Sequence, residues 1–302
     1  MNGQFKKVNV TKRFLLFLRT ASLVFLCAVF LLAQSVGRIT AKDPKAKEAV
    51  DAAIKAIGGA EKTNGIKSLI IKGTAGKAGT ALIDGIPVKV EATILERRIL
   101  LPDNYIIIQN RMGMIGYDGV SRGTLIWPRP RMSTTLAKVA PPEKIELLEK
   151  DDATLDNHYI NEKTDELSRL LIGTLMIAGP APLTISSGSK PGVFTLTKKD
   201  GVLGEIEFDS KNGYPSVIRY KAAEEPKMLS GAINVGGIGS AGAGAGQASD
   251  KEIRFQDRFP VNGIMFPKVI ITTQIIGEQS MEIEEVQINP KLTLKDFEIP
   301  KQ

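Results

Sequence analysis

The chain has 302 residues, 43% of them apolar and 24% charged, with a mean hydropathy of −0.02. This excludes a mostly disordered chain and a multi-span membrane protein. The formal charge of +7 is concentrated at the start, where Lys6, Lys7, Lys12, Arg13 and Arg19 stand in 37 residues without an acid. The remainder has 35 basic against 33 acidic residues, a balance that argues against nucleic acid as a partner. One Cys (Cys27) and one His (His158) leave nothing from which to build a Cys/His zinc site or a disulfide, and no cofactor or metal is implied.

Basic residues followed by the apolar run 20–33 and then small residues have the layout of a secretory signal over 1–37. Cleavage is expected between Ala33 and Ala41, with an uncleaved anchor helix as the alternative. Export to the periplasm or cell envelope follows. Cys27 reads as part of the signal's apolar core, because Leu26 stands where a lipidation motif needs a small residue. The body, 38–302, then has no Cys and is expected as a single domain held by its core alone.

Asp43-Pro44 opens a helix whose apolar residues, Ala46 to Ile57, recur at three and four spacing until Gly58-Gly59. Strands are predicted over Lys67–Thr74, Ile86–Leu101, Asn104–Arg111 and Met114–Tyr117, with turns at Asp84-Gly85 and Asp118-Gly119. Helical periodicity returns over Pro141–Lys150 and Glu162–Ala178, with a polar loop containing His158 between them. Strands resume at Val193–Thr197, Val202–Phe208, Ser216–Tyr220, Lys251–Phe259, Phe266–Ile276 and Ser280–Ile288. The Gly/Ala/Ser stretch 229–249 interrupts them as a loop. Its Gly237, Gly239 and Gly242 match a dinucleotide fingerprint in letters, but no strand precedes them and no helix can open at Ala-Gly-Ala-Gly.

Strands, then helices, then strands without βαβ alternation predict an α+β fold: a curved, mainly antiparallel incomplete β-barrel with helices packed on the concave side. Tyr105 to Ile108 and Val269 to Ile271 are apolar at consecutive positions, so both of their faces need cover from protein or ligand. Catalytic sets are weak. No Gly-x-Ser-x-Gly elbow accompanies His158, and Ser187-Gly188-Ser189-Lys190 reads as a turn. Asp151, Asp152, Asp156 and Glu162 lack a calcium-loop pattern. Trp127 between prolines suits a core wall or a ligand platform.

Several stretches in order resemble a known family. They are Ala56-Ile57-Gly58-Gly59-Ala60, Ile66 to Gly73, Tyr117-Asp118-Gly119 with Trp127, and Phe208-Asp209 to Pro215. Val261-Asn262-Gly263 to Pro267 and Ile288-Asn289-Pro290 to Pro300 complete the series. Over residues 43–300 the chain resembles the LolA/LolB-like superfamily of periplasmic lipoprotein carriers, and more closely the exported outer-membrane lipoprotein-sorting-like proteins. The resemblance implies a helix-capped half-barrel whose concave apolar face holds acyl chains. Arg97, Arg98 and Arg111 are the candidates for that family's cavity-lining arginine.

The expected function is therefore a non-enzymatic envelope carrier or sensor binding a lipid or lipoprotein acyl chain in an apolar cavity. Tyr105, Met112, Met114, Trp127 and Phe208 are its expected lining, and peripheral membrane contact stays open. The alternative is a structural or interaction module of the same fold with a dry core and no ligand.

Overall fold

The computed structural model describes residues 38–76, 79–83, 86–111, 113–126, 142–222, 250–274 and 277–300. The segment 1–37, Met112, Trp127 and the Gly/Ala stretch lie outside them.

Helix α1 (Pro44–Ile57) starts where the Asp43 side chain accepts from the Ala46 amide at 2.9 Å. It buries Ala46, Val50, Ala53 and Ile57 along one stripe and ends at Gly58, whose φ of 144° is open to glycine. A short α2 (Ala60–Asn64) follows. Among the described residues the strands before the long helix are β1 (Ile39–Ala41), β2 (Ser68–Ala75), β3 (Gly79–Ile83), β4 (Ile86–Val90), β5 (Thr93–Leu100), β6 (Asn104–Arg111), β7 (Met114–Ser121) and β8 (Thr124–Leu125). After it come β9 (Leu183–Ser187), β10 (Val193–Lys198), β11 (Gly201–Phe208), β12 (Pro215–Lys221), β13 (Asp250–Val261), β14 (Ile264–Gln274) and β15 (Gly277–Ile288).

Thirteen strands form one sheet in the order β1-β9-β10-β11-β12-β13-β14-β15-β2-β5-β6-β7-β8, with β3-β4 a separate hairpin. All pairs are antiparallel except the edge pair β1-β9. The C-terminal meander joins the N-terminal strands through β15-β2, where Ile288 faces Leu69 and Met281 faces Ala75. Among the described residues the sheet ends at β1 and β8 and is not closed into a barrel. The fold is α+β.

Where two helical segments and a loop are predicted, one helix runs: α3, Pro142–Leu175, 34 residues. His158 is thus helical, half-buried and edge-on to Tyr159 at 5.3 Å. Residues 151–161 are mostly polar, with Leu155 and Ile160 as their inward apolar contacts, and the helix persists because its C-terminal half is anchored. Leu167, Leu171, Ile172 and Leu175 are all fully buried in the main core.

Contacts of α3 demonstrate the curvature. Lys163 pairs with Asp118 of β7 at 2.5 Å, and the Arg169 guanidinium lies 3.8 Å from the Tyr220 ring of β12. Between them Glu166 meets Tyr105 of β6. These helix positions are about 9 Å apart along the axis, whereas β6 and β12 are six strands apart and would lie about 29 Å from each other in a flat sheet. The sheet therefore curls around α3, which occupies its concave side.

Strand alternation then sorts β6. Tyr105 and Ile107 face the helix, while Ile106 and Ile108 face outward and are covered by Phe297 and Leu292 of the C-terminal segment. The outer apolar face of this strand is covered by protein.

Candidate functional site

On the concave side a cleft of about 590 Å³ opens beside α3. Leu95 and Ile107 from β5 and β6 and Ile253 from β13 form apolar lining. Arg97, Gln109, Asp118, Tyr220 and Lys251 add polar lining from the sheet, and Glu162, Lys163, Glu166 and Arg169 from the helix. A neighbouring groove of about 660 Å³ shares Tyr220, Lys251 and Thr273 with it and continues toward Val202 and Arg219.

Inside the cleft wall, Tyr105 Oη donates to Glu166 Oε1 at 2.9 Å, and Lys163 Nζ donates to Glu166 Oε2 at 3.0 Å. Burial pushes the Tyr105 hydroxyl well above the ordinary tyrosine range, and the Glu166 charge adds to this. Burial alone would push Glu166 up, but the Lys163 and Arg97 charges outweigh it and hold the carboxyl below its ordinary range. Burial likewise opposes the Lys163 charge, yet Glu166 and Asp118 hold its ammonium above the ordinary lysine range. All three groups are moved away from neutrality, so none of them is poised to exchange protons near pH 7. Arg169 donates its Nε to Leu203 O at 3.0 Å, and Asp165 both approaches Arg169 at 3.7 Å and accepts from Lys198 at 2.6 Å.

The three arginines separate by the pleat of the sheet. Arg98 faces outward, where Nε meets Glu96 at 2.5 Å and Nη1 donates to the Asp296 carbonyl at 3.2 Å. Arg111 is exposed at the end of β6. Arg97 faces inward between Ile71 and Ile107, in a row where Leu95 and Ile99 are also buried. Its Nε is buried, and among the described residues Arg97 forms no hydrogen bond and no ion pair.

Of the residues expected to line a ligand site, Tyr105 is fully buried behind the cleft and supports it through Glu166. Met114 shares the inner face of β7 with Asp118 but stands 71% exposed at the hairpin end, opposite Arg111. Phe208 lies on β11, half-buried and edge-on to Phe194 at 5.5 Å, outside the cleft lining. Met112 and Trp127 fall outside the described residues. Of the charged members, Arg97 is one of the three arginines the resemblance offers, whereas Lys163, Glu166 and Arg169 were not read from the sequence. The signal for Arg97 is present: it sits in the inward phase of Leu95, Arg97, Ile99, where alternation calls for an apolar side chain. Among the described residues no cluster of three His, Cys, Asp or Glu is placed to hold a metal ion. No described helix is long and apolar enough to cross a membrane.

No family model and no curated protein matches the chain. Solved structures do. A LolA superfamily protein of Nitrosomonas europaea is 13% identical with a TM-score of 0.38, covering 83% of this chain and 96% of that one. A putative outer membrane lipoprotein-sorting protein domain of Vibrio parahaemolyticus is 10% identical with a TM-score of 0.34, covering 83% and 97%. A DUF1329 family protein of Desulfovibrio piger is 10% identical with a TM-score of 0.35, covering 85% and 98%.

Proposed function

We propose that this protein is a non-enzymatic carrier or sensor of the cell envelope, exported through residues 1–37, that holds an acyl chain of a lipid or lipoprotein in the cleft beside α3. The observation that carries the reading is the cleft itself. Beside α3, whose Leu167, Leu171 and Leu175 fill part of the concave side, about 590 Å³ stays open over Leu95, Ile107 and Ile253. That volume lies within the range of about 300–1,000 Å³ typical of small-molecule sites. Each methylene buried on such a floor contributes about 0.8 kcal/mol, so a chain of several carbons binds without any covalent chemistry. Met114, beyond Gln109 on the same face, extends the rim. Groups moved away from neutrality suit holding and not turnover.

A second reading, an envelope interaction module with a dry core, is favoured by how completely Leu167, Leu171 and Leu175 plug the rest of the concave face. Extraction and mass spectrometry of protein purified from its own envelope separate the two. The carrier reading predicts co-purifying lipid and binding of a fluorescent acyl probe. It also predicts loss of the probe in Gln109→Trp, which fills the cleft from its exposed rim and leaves the melting temperature unchanged. Protein that carries no lipid and binds no probe establishes the module instead.

A further inference from the structure

We infer that the occupant of this cleft bears an anionic head group, a carboxylate or a phosphate ester, held by Arg97, with Lys251 lining the same cleft; the inference rests on reading the cleft as an amphiphile site. The argument is one of compensation. Lys163 is matched by Asp118 and Glu166, and Arg169 by Asp165 and the Leu203 carbonyl. Arg97 and Lys251 line the same cleft and form no ion pair among the described residues. The carboxylate whose field reaches Arg97 is Glu166, and its two oxygens are engaged by Tyr105 and Lys163. Glu162, the remaining acid of the lining, is exposed. The cleft thus keeps two cations with no hydrogen-bonded or ion-paired carboxylate among the described residues, one of them set in a row with buried aliphatic side chains.

The half-buried guanidinium of Arg97 borders Ile71, Leu95, Ile99 and Ile107, and its buried Nε has no hydrogen-bond partner among the described residues. An anion in the cleft supplies what is missing, because the planar fork of arginine matches the two oxygens of a carboxylate or phosphate ester. The acyl chain then lies on the apolar floor that borders the guanidinium. A neutral head group leaves Arg97 as it is, and a cationic one is repelled.

The test compares chains of equal length on the full exported protein by displacement of a fluorescent acyl probe. The chains are a fatty acid, its methyl ester, an alkyl phosphate and an alkyl quaternary ammonium. The expected result is binding of fatty acid or alkyl phosphate roughly tenfold or more tighter than the ester. Arg97→Gln should erase that preference while still binding the ester, and Arg97→Lys should restore part of it. Should Arg97→Gln not fold, the wild type decides by a preference that shrinks as salt rises, together with a reduced preference in Lys251→Gln. Equal affinity for ester and acid, or preference for the quaternary ammonium, overturns the anionic assignment and leaves the carrier reading standing. Binding of none of the four chains ends both. Inorganic phosphate is the control for a chain-free anion, and binding of it as tight as that of the alkyl phosphate overturns the amphiphile site.

Discussion

Two inward arginines sit along the same long helix and are treated in opposite ways by the fold. Arg258 of β13 lies under the C-terminal end of α3. Its Nη1 donates to Thr174 O at 3.2 Å and Met265 O at 3.1 Å, and its Nη2 to Gly173 O and Pro215 O, both at 2.9 Å. Its guanidinium faces the Tyr214 ring at 5.0 Å, and burial pulls its pKa down to about 10, where it still stays charged at neutral pH. Carbonyls at the end of a helix present partial negative charge, so the cation is stabilised without any carboxylate. Arg97, near the middle of α3, has no comparable partner. The difference teaches that burial of a cation does not by itself mark a ligand site. Donation by both terminal nitrogens to backbone carbonyls makes Arg258 a clamp, and Arg97 makes no such bonds among the described residues.

Removing the clamp should have the largest effect. Arg258→Met leaves four carbonyls short of a donor, two at the α3 terminus and one each on β12 and β14, and is expected to lower stability by about 3 kcal/mol in urea unfolding. An unchanged midpoint would mean that the helix end is held by apolar packing alone. The next effect comes from the same end. A methyl group at Gly173 would overlap the Phe255 ring, so Gly173→Ala should destabilise by about 2 kcal/mol, while probe binding at the cleft persists in the folded fraction.

The charged middle of α3 should show itself through pH. Glu166 has a folded pKa held below the ordinary 4.5, so its ionised form stabilises the fold above that value and the contribution is lost as pH falls through the folded pKa. The stability gap between wild type and Glu166→Gln should therefore be full at neutral pH and narrow steadily below about pH 4.5 in thermal melts. A gap that stays constant down to pH 2 would falsify the assignment of Glu166 as an ionised partner of Lys163. The smallest effect on stability belongs to Arg97. Because no hydrogen bond is lost, Arg97→Met should leave the melting temperature unchanged or raise it slightly, opposite in sign to Arg258→Met. A drop comparable to that of Arg258→Met would collapse the contrast between the two sites.

Much of the local structure was legible. The run Asn104–Arg111 is β6 from end to end, and Asp43-Pro44 with Gly58 bounds α1 within a residue. Turn chemistry at Asp84-Gly85 marks the break between β3 and β4. Other elements were not legible for identifiable reasons. Residues 86–101 read as one strand, although β4 ends at Val90 and β5 begins at Thr93. Leu183–Ser187, preceded by Gly-Pro-Ala-Pro, has loop composition and becomes β9 because β1 and β10 supply its hydrogen bonds. The helical path through residues 151–161 has only Leu155, Tyr159 and Ile160 as large apolar side chains, too few to reveal a helical period.

The candidate site divides in the same way. Apolar alternation along β6 identifies Tyr105 and Ile107 as one face, and it requires cover for Ile106 and Ile108 on the other. That the cover is Phe297, nearly two hundred positions on, depends on where the chain end docks. An arginine among aliphatic residues in β5 is visible in the letters. Whether it has a partner is settled only when α3 brings Glu166 near and Tyr105 and Lys163 occupy both of its oxygens. By itself, then, the amino-acid sequence determined strand alternation, turns, caps and the α+β class, because each rests on contacts between residues a few positions apart. Tertiary structure alone decided the β15-β2 junction, the parallel edge pair, the curl around α3 and the unpaired Arg97. Each of these depends on partners whose distance along the chain leaves no trace in local pattern.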